Sequence, residues 1–177
     1  IGSGSWRSRA PHRPMVLVVG QVESDASVLQ GSAPALRRNV DLLRAGRTLR
    51  PSAWLVYKPH PDVVSGLRRA GVDEARSSTL CDEVVSAAPL PALIDAASEV
   101  HVLTSLAGFE ALLRGKTVHC HGLPFYAGWG LTVDARPHPR RQRRLALDEL
   151  VAGALILYPT YLSRATGRFT TPERVVD

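Results

Sequence analysis

Hydrophobic residues recur along the chain in two alternating patterns. A continuous apolar run, typical of a strand buried in a parallel sheet, occurs at residues 15–20, and further strands are predicted at residues 53–57, 100–103 and 117–121. Apolar positions at helical spacing predict helices at residues 34–43, 62–70, 91–98, 106–113 and 147–157. Pro34 suits the first turn of one helix, and Gly115 suits the end of another. The alternation predicts an α/β fold, a Rossmann-like parallel sheet with helices on both faces.

The length and apolar content suit a single domain. The 177 residues are 45% apolar, which is enough for a core. We expect residues 1–14 to be a cloning remnant or a flexible edge, because the chain begins IGSGS without methionine. Residues 15–177 are then the folded domain. Cys81 and Cys120 lie far apart without metal-ligand spacing, and no apolar run reaches the roughly 18–20 residues of a membrane span. We therefore expect a cytoplasmic protein.

The charge is strongly positive. A net charge of +6 admits nucleic acid, an anionic membrane surface or a phosphate-bearing ligand. Much of the excess lies at residues 7–13 and 136–144. Aromatic residues do not interleave with these arginines, as a nucleic-acid surface requires, so we expect no nucleic-acid binding. Residues 136–144 are interpreted as a solvated loop, with contact to membrane phosphates as the alternative.

Three polar segments follow predicted strands. They are residues 21–27 (QVESDAS), 58–61 (KPHP) and 104–110 (TSLAGFE). In an open parallel sheet, ligands bind beyond the carboxyl ends of the strands. We therefore expect the three segments to meet at one crevice.

Each polar side chain of these segments has a functional and a structural interpretation. Thr104 and Ser105 either cap the next helix or, with its free amides, hold an anion such as a phosphate. His60, between two prolines, either donates to a phosphate or is simply fixed by the turn. Lys58 supplies a positive charge beside it. Gly108 would let a ligand approach the backbone closely.

The carboxylates are equally open to two interpretations. Asp25 is a nucleophile, a general base or a turn residue, and Glu23 competes for any carboxylate role. Glu110 either accepts from ribose hydroxyls or is solvated. No paired carboxylates or His-x-x-x-His spacing indicate a metal, and we expect none. The histidines on predicted strands are interpreted as core or edge residues rather than ligands: His101, His119 and His121.

Several segments together resemble a known family. They are QVESDAS (21–27), NVDLLR (39–44), YKPHPDV (57–63), TSLAGFEALLRGKTVHCHGLPFYAGWGLT (104–132) and LDELVAGALILYPTY (147–161). On these residues the chain resembles capsule polysaccharide synthesis proteins of the KpsC/LipB type from about residue 16 to its end. The KPHP and GLPFYAGWGLT strings are the most specific.

The resemblance implies a retaining β-Kdo transferase. Such an enzyme transfers Kdo from CMP-Kdo to a phosphatidylglycerol-type lipid or a Kdo-lipid, without a metal or other cofactor. It implies that the chain is the C-terminal, donor-binding half of a GT-B fold and that the acceptor-side half-domain is missing. The expected further partners are the inner-membrane surface, where the protein would be peripheral, and the capsule-export machinery.

The resemblance also implies roles for the polar residues. His60 and Ser105 would hold the CMP phosphate with support from Lys58 and Thr104, and Glu110 would contact the ribose. Asp25 would attack the anomeric carbon. The remaining donor-binding positions are Gln21, Ser27 and Gly108. Residues 122–130 would form the rim of the pocket or a packed loop.

Other functions are compatible with the same residues. The chain could serve another nucleotide-sugar enzyme, such as a UDP-sugar transferase or an epimerase. A non-catalytic module that docks on capsule-assembly partners through residues 136–144 is a third hypothesis. Nucleic-acid binding is the fourth, and steep salt dependence would be its signature.

Overall fold

A six-stranded parallel sheet forms the centre of the chain. The computed structural model describes residues 6–176, and the strand order is β3-β2-β1-β4-β5-β6. The strands are β1 Met15–Val19, β2 Trp54–Lys58, β3 Glu83–Val84, β4 Glu99–Val102, β5 Thr117–Cys120 and β6 Val133–Asp134. Every neighbouring pair is parallel. The four predicted strands and the fold class are confirmed, whereas β3 and β6 were not predicted.

Helices connect the strands. The α-helices are α1 Ala26–Gly31, α2 Asn39–Leu49, α3 Pro61–Val64, α4 Ser77–Leu80, α5 Leu90–Ala96, α6 Ala107–Leu113, α7 Leu147–Ala152 and α8 Glu173–Val176. A 3₁₀ turn spans Glu74–Arg76, and α7 continues as a π-helical turn over Gly153–Leu157. A two-stranded antiparallel ribbon follows, formed by β7 Tyr161–Leu162 and β8 Phe169–Thr170.

The side chains of β1 alternate between two hydrophobic cores. Leu17 and Val19 belong to the core beneath α5, α6 and α7, which includes Leu93, Phe109 and Leu150. On the other face, Val16 and Val18 pack with Leu42 and Leu43 of α2. Because successive strand residues point to opposite faces, a fully apolar β1 requires a cover on both sides. The predicted helices on both faces are confirmed.

Two predicted helix boundaries are wrong. The helix expected from Pro34 begins at Asn39, because Ser32 pairs with Gly122 in an isolated bridge and the chain turns before α2 starts. The helix expected over residues 62–70 ends at Val64, because Gly66 adopts a left-handed conformation with φ of 77°. The predicted cap at Gly115 is confirmed by its φ of 67°.

Residues 6–14 pack beside the start of β2. Arg13 donates to the carbonyls of Ser52 and Ala53, both at 2.8 Å. Arg9 pairs with Glu83 at 3.2 Å, and Trp6 packs against the larger core. Residues 1–5, assigned to the remnant, lie outside the described residues, and the domain boundary at residue 15 stays a prediction. Within residues 6–176 no helix has the length and apolar character needed to span a membrane.

Candidate ligand crevice at the switch point of the sheet

The three polar segments follow neighbouring strands. β1 lies between β2 and β4. After β1 the chain continues to α2 on one face of the sheet, whereas after β4 it continues to α6 on the other face. This is the switch point, where open α/β sheets bind ligands. The amide of Gly20 donates to Lys58 O at 2.8 Å, which joins the first two segments. The expected placement at one edge of the sheet is therefore observed.

Gln21 joins the segments that follow β1 and β4. Its Nε2 donates to Thr104 Oγ1 at 3.0 Å, and its Oε1 accepts from the Thr104 amide at 2.8 Å. Only 8% of Gln21 is exposed. A buried amide with both ends bonded has a fixed orientation. This pair, called the Gln21–Thr104 clamp below, holds the floor of the crevice.

Glu23 has a structural task. One carboxylate oxygen accepts from the Asn39 amide at 2.8 Å, and the other accepts from the Val72 amide at 3.1 Å. Burial raises the pKa of Glu23, while the two amides oppose that rise. Glu23 thereby fastens the start of α2 and the loop after α3 to the end of β1.

Asp25 pairs with an arginine that the sequence analysis did not single out. Arg68 Nη2 lies 2.5 Å from Asp25 Oδ1, and both side chains are about half exposed. Asp25 precedes α1, but its side chain makes no capping hydrogen bond. Ser27 is exposed on the first turn of α1. Arg68 comes close to Asp25 because the chain turns back at Gly66 after α3. A pattern of residue types along the sequence does not reveal this turn.

The KPHP segment fixes His60 at a helix start. His60 Nδ1 accepts from the Asp62 amide at 3.2 Å and so caps α3. An accepting Nδ1 places the proton of the neutral ring on Nε2, which makes no hydrogen bond with any described residue. Lys58 donates to Ser86 O, and burial lowers the pKa of its ammonium. His60 thus offers one free donor, and Lys58 lies near it.

Ser105 caps α6. Its Oγ accepts from the Ala107 amide at 3.2 Å, and its carbonyl accepts from the Tyr126 hydroxyl. The capping interpretation is confirmed, and the Ser105 hydroxyl proton remains available for a ligand. Glu110, half-buried on the first turn of α6, makes no hydrogen bond or ion pair with any described residue.

Gly108 has a packing role. A Cβ built at this position would lie 2.2 Å from the Tyr126 hydroxyl. Tyr126 is fully buried, so it cannot simply swing away. The space beside Gly108 is therefore filled by Tyr126, and contact of Gly108 with a ligand stays a prediction.

The loop at residues 122–130 is packed, with one apolar cavity beside it. Arg141 donates to the carbonyls of Pro124 and Ala127 at 2.6 and 2.7 Å, and its guanidinium lies over Trp129. One arginine of the basic run is therefore structural. An apolar cavity of about 670 Å³ lies between this loop and the π-helical turn, lined in part by Phe125 and Tyr158.

Three histidines form a buried polar cluster with Glu99. Glu99 Oε1 lies 3.2 Å from His101 Nε2, and Glu99 Oε2 lies 3.3 Å from His119 Nε2. His121 Nε2 lies 3.1 Å from His101 Nδ1. Arg50 Nη2 donates to Glu99 Oε2 at 2.9 Å, and Arg50 Nε lies 2.9 Å from Glu99 Oε1 in the same ion pair. The interpretation of these histidines as core residues is confirmed by their burial.

The ring geometry of this cluster disfavours metal binding, although His119 Nε2 makes no hydrogen bond with a described residue. Ligand atoms of Glu99, His101 and His119 lie within 4.8 Å of one another. However, the His101 and His119 rings are stacked, with centroids 4.4 Å apart and planes at 17°. Nearly parallel imidazoles cannot both point a nitrogen lone pair at one ion, and Arg50 already neutralises the carboxylate.

Burial shifts the pKa values of the cluster. Desolvation, aided by the neighbouring His119, lowers the pKa of His101 to about 3 and that of His121 to about 4. Burial alone would raise the pKa of Glu99, but hydrogen bonds from His101 and Arg50 and the charge of His119 outweigh it and lower that pKa. His101 and His121 are therefore neutral at pH 7.

Sequence comparisons connect the chain with proteins of the bacterial capsule. A family profile described as "Capsule polysaccharide biosynthesis protein" matches residues 6–169. The chain is 50% identical over 173 residues to the capsule polysaccharide modification protein LipA of Neisseria meningitidis serogroup A. It is 43% identical over 164 residues to the lipopolysaccharide-processing protein LpsZ of Rhizobium meliloti. These matches cover 98% and 93% of this chain but only 24% and 37% of the two relatives.

Solved structures agree with these matches. The β-Kdo 2,7 transferase of Thermosulfurimonas dismutans KpsC superimposes with a TM-score of 0.83 and 47% identity, over 96% of this chain and 55% of that one. The β-Kdo 2,4 transferase of the same KpsC superimposes with a TM-score of 0.80 and 33% identity, over 99% and 54%. The chain therefore spans about half of either transferase chain.

Proposed function

The chain belongs to the family of capsule polysaccharide biosynthesis proteins, and from that premise we propose that it is the donor-binding part of a glycosyltransferase. The donor is CMP-Kdo, and the sugar is transferred with retention to a lipid or a Kdo-lipid. The resemblance to two KpsC β-Kdo transferases, at 47% and 33% identity over nearly the whole chain, supports the sugar. The CMP group and the retention rest on the family resemblance that the motifs quoted above carry.

One observation carries the proposal. The Gln21–Thr104 clamp links the ends of β1 and β4 at the switch point through two partly buried hydrogen bonds. The loops that carry His60 and Ser105 follow β2 and β4, the strands on either side of β1. A phosphate above the clamp would thus meet a donor from each side.

The side chains then take the following parts. His60, through its free Nε2 proton, and the Ser105 hydroxyl donate to the CMP phosphate, while Lys58 adds positive charge. Glu110, without another partner among the described residues, accepts from the ribose hydroxyls. Asp25 is the carboxylate that meets the sugar. Gln21, Ser27, Thr104 and Gly108 complete the donor site.

Retention follows from two displacements. In the first, a carboxylate oxygen of Asp25 bonds to the anomeric carbon as the bond from that carbon to the phosphate oxygen breaks, and CMP leaves with the electron pair. In the second, an acceptor hydroxyl attacks the same carbon, loses its proton to a base and releases Asp25. Arg68 occupies Oδ1 of Asp25 in an ion pair, so this pair must loosen before that oxygen can attack the anomeric carbon.

The remaining partners lie outside this chain. We propose that the acceptor side of the crevice comes from a second half-domain of a GT-B fold, and that no metal or cofactor takes part. The protein acts in the cytoplasm at the inner-membrane surface, beside the capsule-export machinery. A lipid of the phosphatidylglycerol type is the proposed acceptor.

Removal of the Gln21–Thr104 clamp tests whether this pair of hydrogen bonds is needed for donor binding. We expect Gln21→Ala to weaken CMP binding about tenfold or more, because the Thr104 amide and hydroxyl lose their buried partner, a loss of about 1–3 kcal/mol. Isothermal titration of CMP into the wild-type and variant chains measures this. Gln30→Ala, which alters an exposed glutamine on α1, is the matched control and should bind as the wild type does. Equal affinity of Gln21→Ala and wild type would contradict the role of the clamp.

A further inference from the structure

We infer that Asn39 is a positioning residue for the donor site, acting through Gln21. The inference rests on the proposed function. Asn39 is the first residue of α2, is 2% exposed, and has no place in the set of residues assigned above to the donor. Its side chain connects the end of β1 to the half-buried carboxylate of Glu74 in the 3₁₀ turn.

The Asn39 side chain makes two hydrogen bonds with the main chain of Gln21, and this pair of bonds is called the clasp below. Its Oδ1 accepts from the Gln21 amide, and its Nδ2 donates to the Gln21 carbonyl, both at 2.9 Å. The amide side chain thereby imitates a neighbouring strand at the point where β1 has ended. Because both backbone groups of Gln21 are held, the direction in which its side chain leaves the backbone is fixed, and that side chain forms the Gln21–Thr104 clamp.

The second proton of Asn39 Nδ2 anchors the clasp. It donates to Glu74 Oε2 at 3.0 Å, and the other oxygen of Glu74 accepts from the Tyr57 hydroxyl. Burial, followed by the hydrogen bond to Glu74, raises the pKa of Tyr57, so its hydroxyl stays protonated and donating. Tyr57 is fully buried on β2. The clasp is therefore tied to the sheet at both ends.

These bonds form one continuous path. It runs from Tyr57 through Glu74, Asn39 and Gln21 to Thr104, and so it joins β2, the 3₁₀ turn, α2, β1 and β4. Asn39 connects the part of this path that reaches into the protein interior, through Glu74, with Gln21 at the crevice. Its loss would leave the fold in place but release Gln21 from a single orientation.

An asparagine is required at this position. The site needs one acceptor for the Gln21 amide and two protons for the Gln21 carbonyl and Glu74. Aspartate supplies the acceptor but neither proton, and it would add a negative charge between Glu23 and Glu74. Alanine supplies none of the three. The two variants therefore separate loss of the clasp from repulsion between carboxylates.

A paired substitution tests this role apart from stability. We expect Asn39→Asp to lower the thermal midpoint and to weaken CMP binding about tenfold. Adding Glu74→Gln lets the introduced glutamine donate to the introduced aspartate while it still accepts from Tyr57. The double variant should therefore recover most of the thermal midpoint, yet its CMP affinity should stay about tenfold weaker, because the Gln21 carbonyl still lacks a donor.

Two further measurements complete the test. Val40→Ala, at the next and equally buried position of α2, should lower the midpoint and leave CMP affinity unchanged at temperatures where the protein is folded. Hydrogen exchange of the Thr104 amide, which donates to Gln21, should speed up in Asn39→Asp with or without Glu74→Gln, in the absence of nucleotide. The Thr104 amide in Val40→Ala should exchange as in the wild type.

Each outcome has one meaning. Recovery of CMP affinity and of Thr104 protection together with the midpoint would overturn the inference, because Asn39 would then serve stability alone. Wild-type affinity in Asn39→Asp would also overturn it, while leaving the proposed function intact. Absence of CMP binding by both the folded wild-type chain and a folded full-length protein of this family would instead overturn the proposed function, and with it the role of Asn39.

Discussion

Lowering the pH from 7 to 5 should reduce the free energy of unfolding by about 4 kcal/mol, with about 2 kcal/mol from each of two buried histidines. His101 and His121 have folded pKa values of about 3 and 4, against 6.5 for an unperturbed histidine. Between pH 7 and 5 both histidines become protonated in the unfolded chain, whereas they stay neutral in the folded protein. Stability is therefore full above pH 6.5 and falls as the pH drops below it.

Desolvation and the charges of Arg141 and Arg140 also lower the pKa of His138, on the basic loop, so this group acts in the same direction. The remaining shifted groups act in different pH ranges or with the opposite sign. The lowered pKa values of Glu99 and Asp82 cost stability only below about pH 4.5, where their unfolded counterparts become protonated. The raised pKa of Glu23 works the other way, because acid removes the cost of its buried charge. The loss between pH 7 and 5 thus reports mainly on the two histidines.

Urea unfolding at pH 7, 6 and 5 measures this loss. His121→Gln should remove about half of it, since one of the two histidines no longer titrates, whereas His12→Gln, at an exposed position, should leave it unchanged. A free energy of unfolding that changes by less than about 1 kcal/mol over this range would show that the cluster titrates normally in the folded protein.

Gly108→Ala should destabilise the protein by about 3 kcal/mol. The new methyl group would lie 2.2 Å from the Tyr126 hydroxyl, and the ring of this fully buried residue has no free space to enter. Its displacement would also break the hydrogen bond to the Ser105 carbonyl and so disturb the start of α6. Thermal or urea unfolding of the variant measures the effect.

A second glycine provides the control. Gly153 lies in the π-helical turn, where an added methyl group meets no atom within 4 Å. Gly153→Ala should be neutral or stabilising by about 0.5–1 kcal/mol, because alanine loses less backbone entropy in a helical turn. In a Tyr126→Phe background, Gly108→Ala should cost less than it does alone. Equal costs in the two backgrounds would rule out the clash as the cause.

The sequence predicts those parts of the fold that depend on local patterns. The runs at residues 15–20 and 100–103 lie in the middle of the sheet, where both faces are buried, so every residue except His101 is apolar and the strands are easy to find. β3 and β6 have only two residues each, too few for a pattern. The end of α3 depends on one glycine at positive φ, which a count of apolar positions misses.

The candidate site also has parts that local patterns predict and parts that they do not. The position of QVESDAS and TSLAGFE after strands predicted that they share a crevice, and the Gln21–Thr104 clamp is the contact between them. Asn39 and Glu74 escaped the sequence analysis because their roles depend on contacts 18 and 35 residues apart. Spacing predicts contacts within one element, whereas these contacts arise from the order of the strands.

Titration of CMP, with UMP as the comparison, tests the central claim most directly. The chain should bind CMP in preference to UMP, and both His60→Ala and Ser105→Ala should weaken CMP binding, since each removes one donor to the phosphate. The same titration on a full-length protein of this family shows whether a second half-domain is needed for binding. Equal binding of the two nucleotides, or no CMP binding by either folded protein, would contradict a CMP-sugar site in this crevice.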